Sequence, residues 1–486
     1  MSGVAGGAAL GDALGAAPAV RCATTALDGA DEAWIVGGAV RDAVLGRPVV
    51  DVDLAVAAEP ADLAAKLAAA ARGPAFELSA QFETWRVLGP GNDWHIDVTR
   101  LRGDRIEADL ARRDFTANAI AVPLRDPTAV PIDPTGGLRD LDAAVLRQAS
   151  STSFADDPLR ILRAARLAAA LGFALDAETA QAARALRSRA GEPAGERQFA
   201  ELRLLVAGTE PLRGLELLDE LDATAAVLPE LEALRGIEQT PYHHLDAHGH
   251  TIEVLRRLLE VEHDLPAYTG ESAGAVADLL AAPLADELTR GGALRFVALF
   301  HDFGKAETRT VSEEGRVMFL GHDRVGARII RELCVRLRTS RRLSDYLANL
   351  TLHHLTLGFL VHRRPLSRRD LFDYLRATEP DPVDVTLFTV ADRLATRSER
   401  VRPEAIEAHL ALAREVIAEA LGWIRDGAPS APLPGDELAA ALGIEPGPRL
   451  GRLLDEIEAA VFTGDVTTPG DAIALGRRLL AEPDSE

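Results

Sequence analysis

The sequence predicts an α+β protein: a small mixed sheet with helices comes first, and helices fill the remainder. Three observations lead there. Between residues 31 and about 147, short apolar runs bounded by Gly, Pro and Asp alternate with helical patterns. From 148 to about 245 apolar residues recur at helical spacing, as in Leu159, Leu162, Leu167 and Leu171. Further on, His250 opens a helical pattern and His301 directly follows an apolar helical stretch, Leu294 to Phe300.

Taken in order, Met1 to Val20 is rich in Gly and Ala and lacks a basic leader, so residues 1–30 read as a disordered tail and not as a signal peptide. An apolar strand, Ala33 to Val36, runs into Gly37-Gly38-Ala39-Val40-Arg41-Asp42 and a helical pattern. The two glycines therefore occupy a strand-to-helix turn, where backbone N–H groups can approach a triphosphate, and Arg41 adds fixed positive charge. The next strand runs through Asp51-Val52-Asp53. Side chains at i and i+2 share a strand face, so both carboxylates can meet a hard cation such as Mg2+. Two such ions activate an attacking hydroxyl and steady a leaving pyrophosphate.

A helix from Pro60 to Ala71, strands around Trp85 and Ile96, and a helix after Arg112 complete this part. Asp97, beside Ile96, is a candidate third carboxylate on a neighbouring strand. The block Arg112-Arg113-Asp114-Phe115-Thr116-Ala117-Asn118-Ala119 concentrates charge downstream of the two acids. In the helical part, Arg160, Arg163 and Arg166 form a drifting basic stripe able to meet a base and phosphates. Pro211 to Leu234 continues the helical pattern, and Pro266 to Gly292, acidic and rich in Ala and Gly, reads as a solvated insertion without chemistry.

A chain of 486 residues predicts several domains with ample core. Cys22 and Cys334 are far apart and make neither a disulfide framework nor a metal-spaced pair, which fits a reducing, cytoplasmic setting. No continuous apolar segment is long enough to span a bilayer, so no membrane partner is expected. With 53 Lys+Arg against 75 Asp+Glu the net charge is −22, so any RNA contact must be a local basic patch. The oligomeric state stays open.

The ordered motifs resemble those of class II CCA-adding tRNA nucleotidyltransferases and bacterial poly(A) polymerases, a branch of the polymerase-β-like nucleotidyltransferases. Asp133-Pro134-Thr135-Gly136-Gly137-Leu138-Arg139-Asp140-Leu141 is similar to the family's hinge motif. Asp156-Asp157-Pro158-Leu159-Arg160 is similar to its Glu-Asp-x-x-Arg nucleotide-selecting motif, with Asp156 where Glu is usual. Glu196-Arg197-Gln198-Phe199-Ala200-Glu201 is similar to its neck motif. The resemblance implies a polymerase-β-like head over 31–147, a nucleotide-selecting neck over 148–210 and an RNA-binding body over 211–245. It implies that Asp51, Asp53 and Asp97 are catalytic, the first two binding Mg2+. Gly37, Gly38, Arg41, Arg113, Asp114, Asn118, Arg163 and Arg166 would meet the incoming nucleotide. Asp157 and Arg160 would read the base edge of CTP or ATP in place of a template, and the acceptor would be the tRNA 3′ end.

A second constellation follows: His250, His301-Asp302, His322, His353-His354 and Asp392. This order resembles the HD phosphohydrolase superfamily and implies an HD domain over 246–400. Its imidazoles and carboxylates would hold a divalent transition metal or Mg2+ and act on a phosphoester. The choice between His353 and His354 stays open, and His243 and His244 read as loop or RNA-facing residues. Residues 401–486 resemble the helical tail module of HD-bearing family members.

Only Leu101 to Ala111 separates the third strand motif from the Arg-Arg-Asp-Phe-Thr block. That short segment is similar to enzymes that add CC, with lineage-specific trimming as the alternative. The expected activity is thus CMP addition to the tRNA 3′ end, with AMP addition open. The alternatives are a poly(A) polymerase, which shares the head motifs, and a chain acting mainly as an HD phosphohydrolase. A noncatalytic RNA-binding module has no need of paired acids beside a phosphate turn.

Overall fold

The computed structural model describes residues 7–27, 32–79 and 83–481. The chain forms two compact units, Met1–Val227 and Leu228–Glu486, which part within the segment expected to form the helical body.

The first unit is built on a six-stranded sheet. Its strands are β1 (Ala33–Val36), β2 (Val52–Val56), β3 (Ala75–Ser79), β4 (Thr84–Leu88), β5 (His95–Arg100) and β6 (Ala121–Pro123), in the order β3-β4-β5-β2-β1-β6. β2 and β5 run parallel; the remaining neighbours are antiparallel. Ile35, Leu54, Val56, Ile96 and Val98 are fully buried, so these central strands are covered and their polar side chains are confined to one face and the strand ends. The Pro60–Ala71 helix has the bounds its pattern predicts, with Pro in its first turn and Leu63, Ala64 and Leu67 buried on one side.

Two expectations for this unit are corrected. Residues 7–27, expected to be tail, form helices Gly7–Ala16 and Pro18–Ala26. Leu10, Leu14, Ala19, Val20 and Ala23 are buried, an apolar stripe of small residues that the Ala/Gly-rich composition disguised; the remainder of the expected tail, 1–6 and 28–30, lies outside the described residues. The helix expected after Arg112 precedes it, at Ile106–Leu110. Phe115 is extended and only a single 3-10 turn, Thr116–Asn118, follows, because Ser153 and Gln148 draw residues 114–116 into lateral contacts. The helix Leu159–Leu171 then packs on Gly195–Val206 and Pro211–Glu220.

The second unit is helical. Helix Ala247–His263 packs on Arg290–Phe300 and Pro382–Ala395, and His322–Arg336 packs on Arg341–His353. The stretch expected to be a solvated insertion is ordered instead. It folds into helix Ala273–Ala281 and a short hairpin, anchored by buried Val276, Leu280, Leu284 and Leu288. The last helices, Gly435–Leu442, Pro448–Thr463 and Pro469–Ala481, share a core around Leu438, Ile457, Val466 and Ala472. Among the described residues no helix is long and apolar enough to cross a membrane.

Candidate active site and candidate metal centre

The sheet of the first unit carries its acids where β2 and β5 meet. Their parallel register places Asp53 opposite Asp97, so both side chains leave the same sheet face side by side. Asp51 lies just before β2, and its Oδ1 is 2.7 Å from Nδ1 of His95 and accepts the His95 backbone N–H at 3.1 Å. Asp97 receives two parallel hydrogen bonds from Arg86, Nε and Nη2 each at 2.8 Å. Asp53 and Asp97 thus share a face, and Asp51 and Asp97 are tethered by neighbours, while Asp53 has no protein donor among the described residues.

The bend at Gly37 sits directly against Asp53. Gly37 has φ +71°, and a Cβ on it would lie 3.0 Å from Asp53 Oδ2 and 3.1 Å from Arg113 Nη1. Only glycine satisfies both the backbone and the space. The wall of protein around Asp53 raises its carboxyl above the ordinary range, and Arg113 opposes this while Asp97 adds to it. One side of the carboxylate nonetheless faces the open cleft, where solvent reaches it. A group that is crowded, short of donors and beside a second carboxylate fits a divalent cation.

The cleft holds about 850 Å³ and is lined by Gly37, Gly38, Arg41, Asp53, Arg113, Asp114, Asn118, Asp157, Arg160, Arg163 and Arg166 among others. Asp51 and Asp97 are not among its lining residues. A polar chain crosses it: Arg41 Nη1 donates to Asn118 Oδ1 at 2.7 Å, Asn118 Nδ2 donates to Asp114 at 3.1 Å, and Asp114 Oδ2 lies 3.1 Å from Arg163 Nε. Burial alone would raise the Asp114 carboxyl, but Arg163, Asn118 and the Phe115 N–H hold it below the ordinary value. Glu201 in turn holds Arg166, and Asp140 accepts from both Thr116 and Arg147.

Arg160, expected to meet a base, lines the cleft and also directs donors to the protein itself. Nη1 donates to the Ser153 hydroxyl at 2.9 Å and lies 3.3 Å from the Arg113 carbonyl, and Nη2 donates to the Arg112 carbonyl at 2.9 Å. It ties the head's arginine block to the neck. Asp157 is paired with Arg197, Nη2 to Oδ2 at 2.6 Å, in a partly exposed position.

In the second unit, four histidines and two acids converge. His250 Nε2 lies 3.1 Å from Asp392 Oδ1, and His301 Nε2 lies 3.1 Å from Asp302 Oδ2. His322 Nε2 and His354 Nε2 are 3.2 Å apart, and His322 Nε2 is 3.6 Å from Asp302 Oδ1. Ligand atoms of His250, His301 and Asp302 form one compact group, and those of Asp302, His322 and His354 another, so Asp302 is common to both. The Nδ1 atoms of His301, His322 and His354 meet backbone carbonyls at 3.1, 2.8 and 2.6 Å. That assigns the proton to Nδ1 and turns each Nε2 lone pair inward.

Sequence brings these groups together through helix ends. His301 and His354 each cap a helix, and His322 begins one. Gly304 allows the approach, because a Cβ there would lie 2.1 Å from the His322 carbonyl oxygen. His301 Nε2 and both oxygens of Asp302 are buried without a well-directed hydrogen bond, even though Lys305 Nζ comes within 2.6 Å of Oδ2. Such orphaned atoms are costly in a protein interior unless a cation completes them. Burial pushes Asp302 up, but His301 and Lys305 overcome it and hold the carboxyl well below its usual range.

Of the histidine pair left open, His354 enters the cluster, whereas His353, one position earlier, is outside it and feels the charge of Asp323. His243, read as a loop residue, does lie in a loop, but its ring packs 4.9 Å from that of His250 at the margin of the centre.

Comparison with known proteins assigns three regions of the chain to known families. Residues 33–147 match the Poly A polymerase head domain, residues 172–234 the probable RNA and SrmB-binding site of polymerase A, and residues 248–397 the HD domain. The chain is 36% identical over 467 residues to the A-adding tRNA nucleotidyltransferase of Deinococcus radiodurans, covering 93% of this chain and 96% of that one. The chain belongs to the tRNA nucleotidyltransferase family. It is also 34% identical to the CC-adding tRNA nucleotidyltransferase of Thermus thermophilus, covering 91% of this chain and 93% of that one. A solved CCA-adding enzyme in complex with CTP shares the fold with a TM-score of 0.58 at 19% identity, covering 95% of this chain and 98% of that one. The Thermotoga maritima CCA-adding enzyme complexed with tRNA does so with a TM-score of 0.54 at 20% identity, covering 95% and 94%.

Within this tRNA nucleotidyltransferase family member, sequence reasoning passed over Arg86, His95 and Arg197. The first two were reachable from strand pairing, since Arg86 is the cross-strand neighbour of Asp97 and His95 lies two positions before it. Arg197 stood in a motif already singled out, but its partner Asp157 is 40 residues away.

Proposed function

We propose that the chain transfers nucleotides from CTP to the 3′ end of tRNA without a template, stopping after CMP addition. The observation that carries this reading is the meeting of Asp53, Gly37 and Arg113 at one corner of a cleft whose other wall holds Asp157 and Arg197. A divalent cation held by Asp53, with Asp97 and Asp51 beside it, would supply charge stabilisation for the attacking and leaving oxygens. The chain's own groups do the rest. Gly37 leaves room for a phosphate, Arg113 and Arg41 offset its charge, and Asp114 and Asn118 sit where a ribose hydroxyl can bond. Asp157 and Arg197 offer an acceptor and a donor to a base edge.

The segment Leu101–Ala111 supports a single nucleotide choice. Ile106 and Leu110 are buried, and Asp109 accepts the Arg102 N–H at 3.1 Å and Arg113 Nε at 3.2 Å. A short segment pinned at three points suits one base geometry, not a switch between two. Since relatives of both the A-adding and CC-adding kinds align over most of the chain, products decide. Purified protein is incubated with tRNA transcript trimmed of its 3′ end, with CTP, ATP or both, and the products are sequenced. Two added cytidines and no terminal A are expected; efficient AMP addition overturns the CC reading, and long A tails on unrelated RNA indicate a poly(A) polymerase.

A second activity is favoured by the orphaned His301 and Asp302 atoms: hydrolysis of a phosphoester at the HD centre. Divalent ions held by His250, His301, Asp302, His322 and His354 would supply Lewis acidity toward a phosphoester oxygen and lower the pKa of a water beside it. Turnover of a 2′,3′-cyclic phosphodiester with Mn2+ or Ni2+ tests it; no turnover together with no bound metal removes it.

A further inference from the structure

A second cavity, of about 680 Å³, opens on the HD centre through His354 and Asp392. That volume suits a nucleotide-sized group and exceeds what a single phosphate fills. Its charge is unusual for a chain with a net −22. Asp392 is the single carboxylate among the described lining residues, and it is held by His250. The same lining carries Arg393, Arg400 and Arg402, together with His362 and His409.

The three arginines also form no ion pair among the described residues, although Arg393 adjoins the charge of Asp392. Elsewhere in this unit arginines such as Arg290, Arg295, Arg336 and Arg369 pair with carboxylates. No ion pair or side-chain hydrogen bond is recorded for Arg393, Arg400 or Arg402 among the described residues, and Arg393 Nε is buried without a partner. Arg393 follows Asp392 on its helix, while Arg400 and Arg402 come from the turn before the next helix. Three cations in a cavity larger than one phosphate fills can serve a second anion besides the one at His354 and Asp392. Tyr242, 56% exposed, adds an aromatic face to the same lining.

Resting on the hydrolase reading of the HD centre, we infer that this cavity binds a second phosphate, one nucleotide away from the phosphate at the histidine cluster. The substrate class is thus an oligonucleotide end and not a free mononucleotide. The Tyr242 ring receives the intervening base, and the Arg393, Arg400 and Arg402 guanidinium groups receive the phosphodiester.

The test separates binding from turnover. Affinities of the full chain, without metal and with Mn2+, are measured for adenosine 3′-monophosphate and for the dinucleotide ApAp, which adds a second adenosine joined through one internal phosphodiester. ApAp is expected to bind at least tenfold more tightly, and the Arg400→Gln/Arg402→Gln protein to lose that preference while its metal content stays at the wild-type level. Equal affinity for the two probes overturns the inference. So does a preference that survives in the double variant, which would locate the second phosphate elsewhere, as in the head cleft. Cleavage of the cyclic-phosphate forms of both probes is followed in parallel: absence of turnover with the binding preference intact removes the hydrolase reading and leaves the subsite standing.

Discussion

A methyl group on Gly37 would sit 3.0 Å from Oδ2 of Asp53. The turn expected to cradle phosphates and the acid expected to hold metal are therefore one packed unit, and substitution at either member disturbs the other. Gly37→Ala must also adopt φ +71° with ψ −132°, outside the left-handed helical well, at a cost of about 1–3 kcal/mol. The expected outcome is a modest fall in thermal stability with a loss of nucleotide transfer of tenfold or more. Near wild-type transfer would mean that the corner does not touch the reacting groups.

Asp53→Asn keeps the shape of the corner and removes the charge. Transfer should fall by about 10³-fold or more, the scale of several kcal/mol of charge stabilisation, while tRNA affinity in a filter-binding assay stays unchanged. Asp51→Asn should cost less, because Asp51 is tethered to His95 at the strand edge. Equal rates for Asp53→Asn and wild type would remove the proposed site.

Much of this site could be read from local sequence. The Gly-Gly corner, Asp53 and Asp97 follow from turn chemistry and strand alternation, which are properties of neighbours in the chain. Arg160 shows where such reading stops. Its side chain reaches carbonyls 47 and 48 residues away, and a basic stripe on a helix carries no mark of that. Similarly, helix phase selects His354 over His353, and the phase depends on a helix end that sequence places only to within a residue or two. The Gly7–Ala16 and Pro18–Ala26 helices were missed because alanine-rich packing looks like low complexity.

Replacing Arg160 tests its anchoring role. Arg160→Met leaves the Arg112 and Arg113 carbonyls and the Ser153 hydroxyl short of a donor, which should cost about 2–3 kcal/mol in chemical denaturation. If Arg160 only read the base, stability would hardly change and nucleotide choice alone would relax.

Acid should weaken the second unit in two separate windows. His354 and His409 are buried, and burial first, then neighbouring cationic groups, pushes both down to about 4 from an ordinary 6.5. Between those values the unfolded chain binds protons that the folded chain refuses, so the stabilisation is present above pH 6.5 and is lost as pH falls toward about 4. Asp302 and Asp392 are held below the carboxylate value of 3.8, so their contribution disappears only at lower pH still. Metal-free protein should show Tm falling by several degrees between pH 7 and 4.5, with a shallower slope in His409→Gln. An unchanged slope would show that the ring is not held neutral.

Metal content separates the paired histidines. His354 Nε2 faces His322 Nε2 at 3.2 Å, with its Nδ1 fixed by the Thr351 carbonyl, whereas His353 is outside the cluster and feels the charge of Asp323. Removing His354 takes one imidazole from the group that shares Asp302, and a divalent ion there would lose a ligand that no neighbour replaces. After Mn2+ loading and gel filtration, His354→Ala should retain less metal per chain than wild type, by about one equivalent if two ions bind. His353→Ala should retain the full amount. Equal retention in both variants would show that Asp302 and the remaining histidines suffice, and the reverse order would require the helix to end with the other ring turned inward.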